Sequence, residues 1–231
     1  MGKRLIQQRR GHGSLTYRTP GFRYKAEVSH LTQSGTVVDL LHCPAHSTPL
    51  MEIAYANGDR TRTVAPEGIT VGDYLSVDST ELRSGNVMSL KDIPEGTLIH
   101  NIELRPGDGG KMVRTSGSAA RIVAKDEHHI RVLLPSRKEK ILLPDCRAAI
   151  GVLAGSGRKD KPFLKAGRRF MKMRARNKVY PRVCGISMNA VNHPFGGKCS
   201  HVKGRPTQSP RSAPPGRKVG KIAPRRTGRR R

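Results

Sequence analysis

The residues best equipped for chemistry lie together in one stretch, Ser187 to Cys199, which reads S-M-N-A-V-N-H-P-F-G-G-K-C. His193 is a candidate general base there, because an unperturbed imidazole titrates near neutrality. Its neighbour Asn192 carries no charge and cannot act as an anionic partner. Pro194 biases His193 towards an extended backbone, and Gly196-Gly197 let the chain pass close to another surface. No nucleophile stands near the histidine in sequence and no carboxylate lies in the stretch, so acyl transfer through His193 lacks the partners that such chemistry requires. The competing reading is contact, with a side chain that stacks on a base or donates to a phosphate.

Metal binding is a second chemistry to weigh. Cys184, His193, Cys199 and His201 are all possible ligands, but their spacings of nine, six and two match no common zinc pattern, and no C-x-x-C knuckle occurs. His42-Cys43 with His46 is equally irregular. A zinc-stapled nucleic-acid module is therefore the third reading, behind lone thiols and RNA-facing histidines. Three glycine-rich places, P-G-D-G-G-K at 106–111, G-S-G-R-K at 155–159 and G-G-K at 196–198, fit neither the Walker pattern nor the dinucleotide fingerprint. They read as turns or as backbone approaches to phosphate. No cofactor is expected.

The surroundings of these residues are strongly polarised. The chain has 231 residues and a formal net charge of +27, with a sequence pI near 11.0. Residues 1–26 hold seven Lys or Arg and no acid, residues 27–160 hold sixteen against seventeen acids, and residues 161–231 hold twenty-one and no acid. The middle can bury an ordinary core, whereas the two ends would repel themselves without a polyanionic partner. Of the nine Phe and Tyr, only Tyr55 and Tyr74 lie in the middle; Tyr17, Phe22, Tyr24, Phe163, Phe170, Tyr180 and Phe195 are set among the cations. Rings interleaved with cations suit a surface that stacks bases and neutralises phosphates, and RNA offers unstacked bases more often than duplex DNA.

Candidate RNA contacts follow from that distribution. The first basic end supplies Arg9, Arg10, Arg18, Phe22, Arg23, Tyr24 and Lys25. Ahead of the histidine stretch stand Lys165, Arg168, Arg169, Lys172, Arg174 and Arg176, and beyond it Lys198, Arg217, Lys218, Arg225 and Arg226.

The elements that must position these residues are mostly short strands. Residues 1–26 show no period of 3.6 or 2 and read as an arm that orders against its partner. Strands are expected at 36–41, 50–56 and 73–77, with Asn57-Gly58 marking a tight hairpin in which both residues take positive φ. Pro66-Glu67-Gly68 returns as Pro94-Glu95-Gly96 before another strand, an echo that hints at two successive β units with a seam near Ser84-Gly85-Asn86. Further strands are expected at 110–115, 121–125, 129–135 and 140–143, and one helix near Arg168 to Lys178. The spacing argues for a mostly β fold of two small barrels in series, flanked by extended basic arms. The resulting division is 1–26, 27–85, 86–160 and 161–231. Cys43, Cys146, Cys184 and Cys199 at irregular spacing, and an N-terminus without an apolar segment, point to an intracellular protein with reduced thiols. No apolar run approaches the ~20 residues of a membrane helix, so no membrane partner is expected.

Several ordered motifs resemble those of one family, the universal large-subunit ribosomal proteins conventionally numbered two, in their archaeal form. S-M-N-A-V-N-H-P-F-G-G and A-P-P-G-R-K-V-G look like its signature, and G-S-L-T-Y-R-T-P-G-F-R-Y-K-A-E-V resembles its archaeal N-terminus. T-V-V-D-L-L-H, A-P-E-G, I-P-E-G-T, P-G-D-G-G-K and D-K-P-F-L-K-A-G-R fall at similar places. The resemblance implies an oligonucleotide-binding-type barrel followed by a Src homology 3-like barrel, with both tails in large-subunit ribosomal RNA. It implies a non-enzymatic, cytoplasmic protein that helps assemble the subunit, supports its association with the small subunit and lies near the peptidyl-transferase centre. Other ribosomal proteins are its implied partners, with the small subunit and tRNA nearby. The histidine loop carries over to Asn189, His193, Phe195, Gly196 and Gly197. Asn192 stands where the family usually has aspartate and Lys198 where it has a third glycine.

Overall fold

Side-chain alternation builds the first sheet. The structure is a computed structural model that describes residues 2–18, 25–197, 207–225 and 228. Strands β1 (Gly35–Leu41), β2 (Leu50–Tyr55), β3 (Arg60–Val64) and β4 (Tyr74–Leu75) pair antiparallel in the order β3-β2-β1-β4. Central β2 is buried on both faces, as its near-continuous apolar run requires. Met51, Ile53 and Tyr55 join Val37 and Leu75 in one cluster, while Leu50 packs with Val28, Cys43, Val64 and Leu153 in another. Glu52, on the Leu50 face, is held by Arg62 at 2.9 Å.

The β2–β3 connection is a tight hairpin at Asn57-Gly58, as expected, but only one of the two residues takes the positive φ. The Gly58 amide donates to the Tyr55 carbonyl and the Tyr55 amide to the Asp59 carbonyl, each at 3.0 Å, so residues 56–58 form a three-residue connection. Only Gly58 takes positive φ, at 86°. Asn57 instead accepts the Asp59 amide on its Oδ1 at 3.0 Å, an Asx turn that removes any need for left-handed backbone at that residue.

The second sheet holds β5 (Val87–Ser89), β6 (Leu98–His100), β7 (Ala120–Lys125), β8 (Ile130–Leu133), β9 (Glu139–Leu142) and β10 (Arg147–Ile150), in the order β5-β10-β6-β7-β8-β9. Its inner face carries Ile99, Ile122, Ile130, Val132, Ala148 and Ile150. Val87 and Ala149 extend into the Met51–Ile53 cluster, and isolated bridges Val77–Val87 and Pro66–Leu153 join the two sheets. Fold class is thus mostly β, with small curled sheets in series. Residues Gly21–Lys165 make one compact unit and Met1–Pro20 with Ala166–Arg231 another.

Three expectations need correction. The strand expected at 110–115 reduces to an isolated Ile102–Met112 bridge, because Gly109, Gly110 and Val113 take φ of 77°, 84° and 53°, which breaks the pleat. P-G-D-G-G-K is a turn, as one of its two expected readings has it, whereas the other, a backbone approach to phosphate, gives way to amides that point at a carboxylate. The amides of Gly107 and Gly109, each at 3.2 Å, and of Arg147 at 2.9 Å donate to the fully buried Glu103 carboxylate. Burial pushes the Glu103 pKa up, but these amides and the Arg147 guanidinium outweigh it and hold the carboxyl below its ordinary value. Finally, the two ends are not wholly irregular. Ile6–Gly11 forms a short helix α1, and β11 (Gln208–Ser209) pairs in parallel with β12 (Lys221–Ile222).

Candidate nucleic-acid interface

The expected helix is present as α2, Ala166–Ala175, and its end explains how the chain turns towards the histidine loop. Asn177 takes φ of 48°; its amide donates to the Arg174 carbonyl and the Lys178 amide to the Met173 carbonyl, a Schellman-type stop in which Asn replaces the usual Gly. The Asn177 side chain donates onward to the carbonyls of Leu15 at 3.2 Å and Arg18 at 2.8 Å, which ties the N-terminal segment to the helix end.

The loop closes on itself. The Gly197 amide donates to the Met188 carbonyl at 3.1 Å, the Gly196 amide to the His193 carbonyl at 2.8 Å, and the amides of Asn192 and His193 to the Asn189 carbonyl at 2.9 and 3.2 Å. Gly196 is required by close approach: a Cβ there would fall on the carbonyl oxygens of Met188 and Asn189. Gly185, in a short 3₁₀ turn at Gly185–Ser187, lies under the His193 ring, where a Cβ would meet three ring atoms. The N-terminus braces the far side, since the Lys3 amide donates to the Val191 carbonyl at 2.8 Å.

His193 is held as a neutral hydrogen-bond donor. The Phe195 amide donates to its Nδ1 at 3.0 Å, which occupies that lone pair and leaves the proton of the neutral ring on Nε2. Burial lowers its pKa, away from the cationic form. The Phe195 ring sits 5.1 Å from the imidazole at 54° and also abuts Gly220, whose backbone runs against Thr207. No carboxylate side chain is available in this unit to orient or charge the imidazole, because residues 1–20 and 166–231 contain no Asp or Glu. The six ion pairs among the described residues all lie in the β unit.

Sequence-selected residues are brought together in two places. Asn189, His193, Phe195, Gly196 and Gly197 share the loop, beside a cavity of about 430 Å3 lined by Leu5, Ile6, Arg10, Met188 and Asn192 among others. Arg10 also meets Arg169 and Arg176 around a second cavity of about 660 Å3. Arg9, Arg18, Arg168, Arg174, Arg217 and Arg225 are exposed, and Lys172 and Lys218 half-buried. Lys25 and Lys165 belong to the β unit instead; the Lys25 carbonyl accepts from Arg62 at 3.1 Å. Phe22, Arg23, Tyr24, Lys198 and Arg226 lie outside the described residues, as do Cys199 and His201. Among the described residues no group of three or more His, Cys, Asp or Glu is placed to hold a metal ion, and Cys43, Cys146 and Cys184 carry free thiols. Likewise, no described helix is long and apolar enough to cross a membrane.

Sequence reasoning missed Lys178, Arg182 and Gly185. The two cations were visible in the basic run, but only the turn after α2 selects them for the second cavity. Nothing in the sequence marks Gly185, whose role depends on the ring that packs over it.

Comparison with known proteins supplies the context. A family model described as Ribosomal Proteins L2, C-terminal domain, matches residues 83–216. The chain is 49% identical over 236 residues to the large ribosomal subunit protein uL2 of Natronomonas pharaonis, covering 99% of this chain and 97% of that one. It is 50% identical over 237 residues to the protein of the same name from Methanococcoides burtonii, covering both completely. The corresponding protein of Archaeoglobus fulgidus is 48% identical over 238 residues, again across the whole of both chains.

Proposed function

The chain belongs to the uL2 family of large ribosomal subunit proteins, and from that premise we propose that it is a non-catalytic, rRNA-binding architectural component of the subunit. In this reading the four parts 1–26, 27–85, 86–160 and 161–231 are arm, oligonucleotide-binding-type barrel, Src homology 3-like barrel and arm. The barrels set position, the arms fill RNA crevices, and the His193 loop reaches towards the peptidyl-transferase centre as a donor. Assembly of the subunit, association with the small subunit and contacts with neighbouring ribosomal proteins follow from the same placement.

One observation carries the proposal: a unit of twenty-four Lys and Arg holds no Asp or Glu at all. Like charges gathered without a carboxylate side chain among them repel one another, and a polyanion relieves that repulsion. The locked Nδ1 of His193 supports the non-catalytic part, because a ring whose lone pair is already occupied does not abstract a proton.

Binding of the full-length chain to large-subunit rRNA fragments, measured across a salt series, tests it. Each neutralised phosphate contributes about 0.7 to 0.9 log units of affinity per log unit of salt. We expect a steep negative slope equivalent to several phosphates, and a flat response overturns the reading.

A further inference from the structure

The second cavity differs from a general basic surface in shape and composition. Its lining is Arg10, Arg169, Met173, Arg176, Lys178, Val179, Tyr180, Pro181 and Arg182, five cations around an apolar wall with one ring. A volume of about 660 Å3 lies in the range of sites that enclose a small ligand. That volume is large enough to admit one nucleotide.

Two features point to a planar guest. The Arg169 guanidinium carbon sits over the Tyr180 ring, 5.3 Å from its centre, so the ring backs the guanidinium within the cavity lining. Guanidinium planes and aromatic rings are the surfaces on which proteins stack unpaired RNA bases. Met173, Val179 and Pro181 supply apolar contact for the rest of a base edge, and Arg10, Lys178 and Arg182 supply charge for the flanking phosphates. The Asn177 helix stop and its bonds to Leu15 and Arg18 preform the wall, since they fix α2 against the segment that carries Arg10.

We infer that this cavity is a receptor for a single unstacked rRNA nucleotide, whose base stacks on the Tyr180-backed Arg169 guanidinium while Arg10, Lys178 and Arg182 hold its phosphates. The inference rests on the rRNA-binding reading above and sharpens it from charge to shape. A fully paired helix binds the same unit through charge alone; a bulged nucleotide adds the stacking contact.

The test compares two RNA hairpins that differ by one bulged nucleotide, titrated against the full-length protein at fixed salt. Stacking of one base is worth about 1 to 3 kcal/mol by substitution, so the bulged hairpin should bind on the order of 5- to 150-fold more tightly than the paired one. Arg169→Lys keeps the charge and removes the plane; it should abolish that preference, so that the variant binds the bulged and paired hairpins alike. Tyr180→Leu should weaken the preference and Tyr180→Phe retain it. Equal binding of the two hairpins by the wild-type protein, or an unchanged preference in Arg169→Lys, overturns the receptor but not RNA binding. Failure of both hairpins to bind at low salt overturns both readings.

Discussion

The β unit and the basic unit solve the problem of holding a shape in opposite ways. Among the described residues the β unit buries twenty-seven hydrophobic side chains and pairs acids with bases, whereas the basic unit buries Leu5 and Val219. What shapes the basic unit is backbone hydrogen bonding: the closed histidine loop, the helix stop at Asn177, and Ser209, whose Oγ accepts the Val219 amide at 3.2 Å. Burial of apolar area makes a fold stable by itself. Hydrogen bonds of modest net worth fix geometry without much stability. The contrast teaches that the basic unit is a set of preformed shapes held with little apolar burial of its own, as the proposed rRNA-bound role requires.

Acid should expose that contrast most strongly. His30 and His100 are sealed in the β unit, at 2% and 0% exposure, and burial lowers each pKa from 6.5 to about 4. Unfolded histidines take up protons as the pH falls through 6.5, while the folded ones resist until about 4. The folded state therefore loses stability between those values and is unaffected above them. Each tenfold loss of proton affinity is worth about 1.36 kcal/mol, which makes the cost about 3 kcal/mol per histidine. Urea unfolding followed from pH 8 down to pH 4 should show a level midpoint above pH 7 and a steep decline below 6.5. A midpoint independent of pH would mean that neither ring is buried uncharged.

The same contrast governs what could be read from sequence. Strands β1, β2 and β7 follow apolar patterns that burial enforces, so they lie where the sequence places them. The β5 and β10 strands, V-M-S and R-A-A-I, are too short to show a period and exist because neighbours cover them. Residue choice in the histidine loop was legible, since Gly196 and Phe195 announce close approach and stacking. Its electronic state was not, because the Phe195 amide that occupies Nδ1 is a backbone group of the kind nearly every residue carries. The cavity beside α2 was hidden for a similar reason: it depends on a left-handed Asn177, which no pattern of side chains dictates.

Loop geometry supplies the next perturbation. Gly196→Ala drives a Cβ onto the carbonyl oxygens of Met188 and Asn189, which are backbone atoms that cannot swing aside. Overpacking of this kind costs about 1 to 3 kcal/mol. Because the loop belongs to a separate compact unit, the change should leave the cooperative unfolding of residues 27–165 untouched. It should appear instead as faster exchange of the Gly197 amide with solvent and weaker rRNA binding. A shift in the main unfolding transition would show that the two regions share one stability after all.

His193→Gln is the smallest of the three and the most discriminating. Glutamine carries an amide N–H that can replace the Nε2 donor and an oxygen that can accept the Phe195 amide in place of Nδ1. It lacks only the titrating ring. If the loop acts by contact, subunits assembled with this variant should keep their composition and peptidyl-transfer rate within about threefold, less than about 0.7 kcal/mol at 1.36 kcal/mol per tenfold, with an unchanged pH profile. His193→Leu, which removes the hydrogen bond from the Phe195 amide at similar bulk, should loosen that amide and weaken loop contact more than glutamine does. Normal assembly together with a large rate loss in the glutamine and leucine variants alike, and a pH profile that loses a limb near neutrality, would assign the ring a proton-transfer role. The two units would then differ in kind, one holding a fold and the other holding a reactive group, and the occupied Nδ1 would have to open during the reaction.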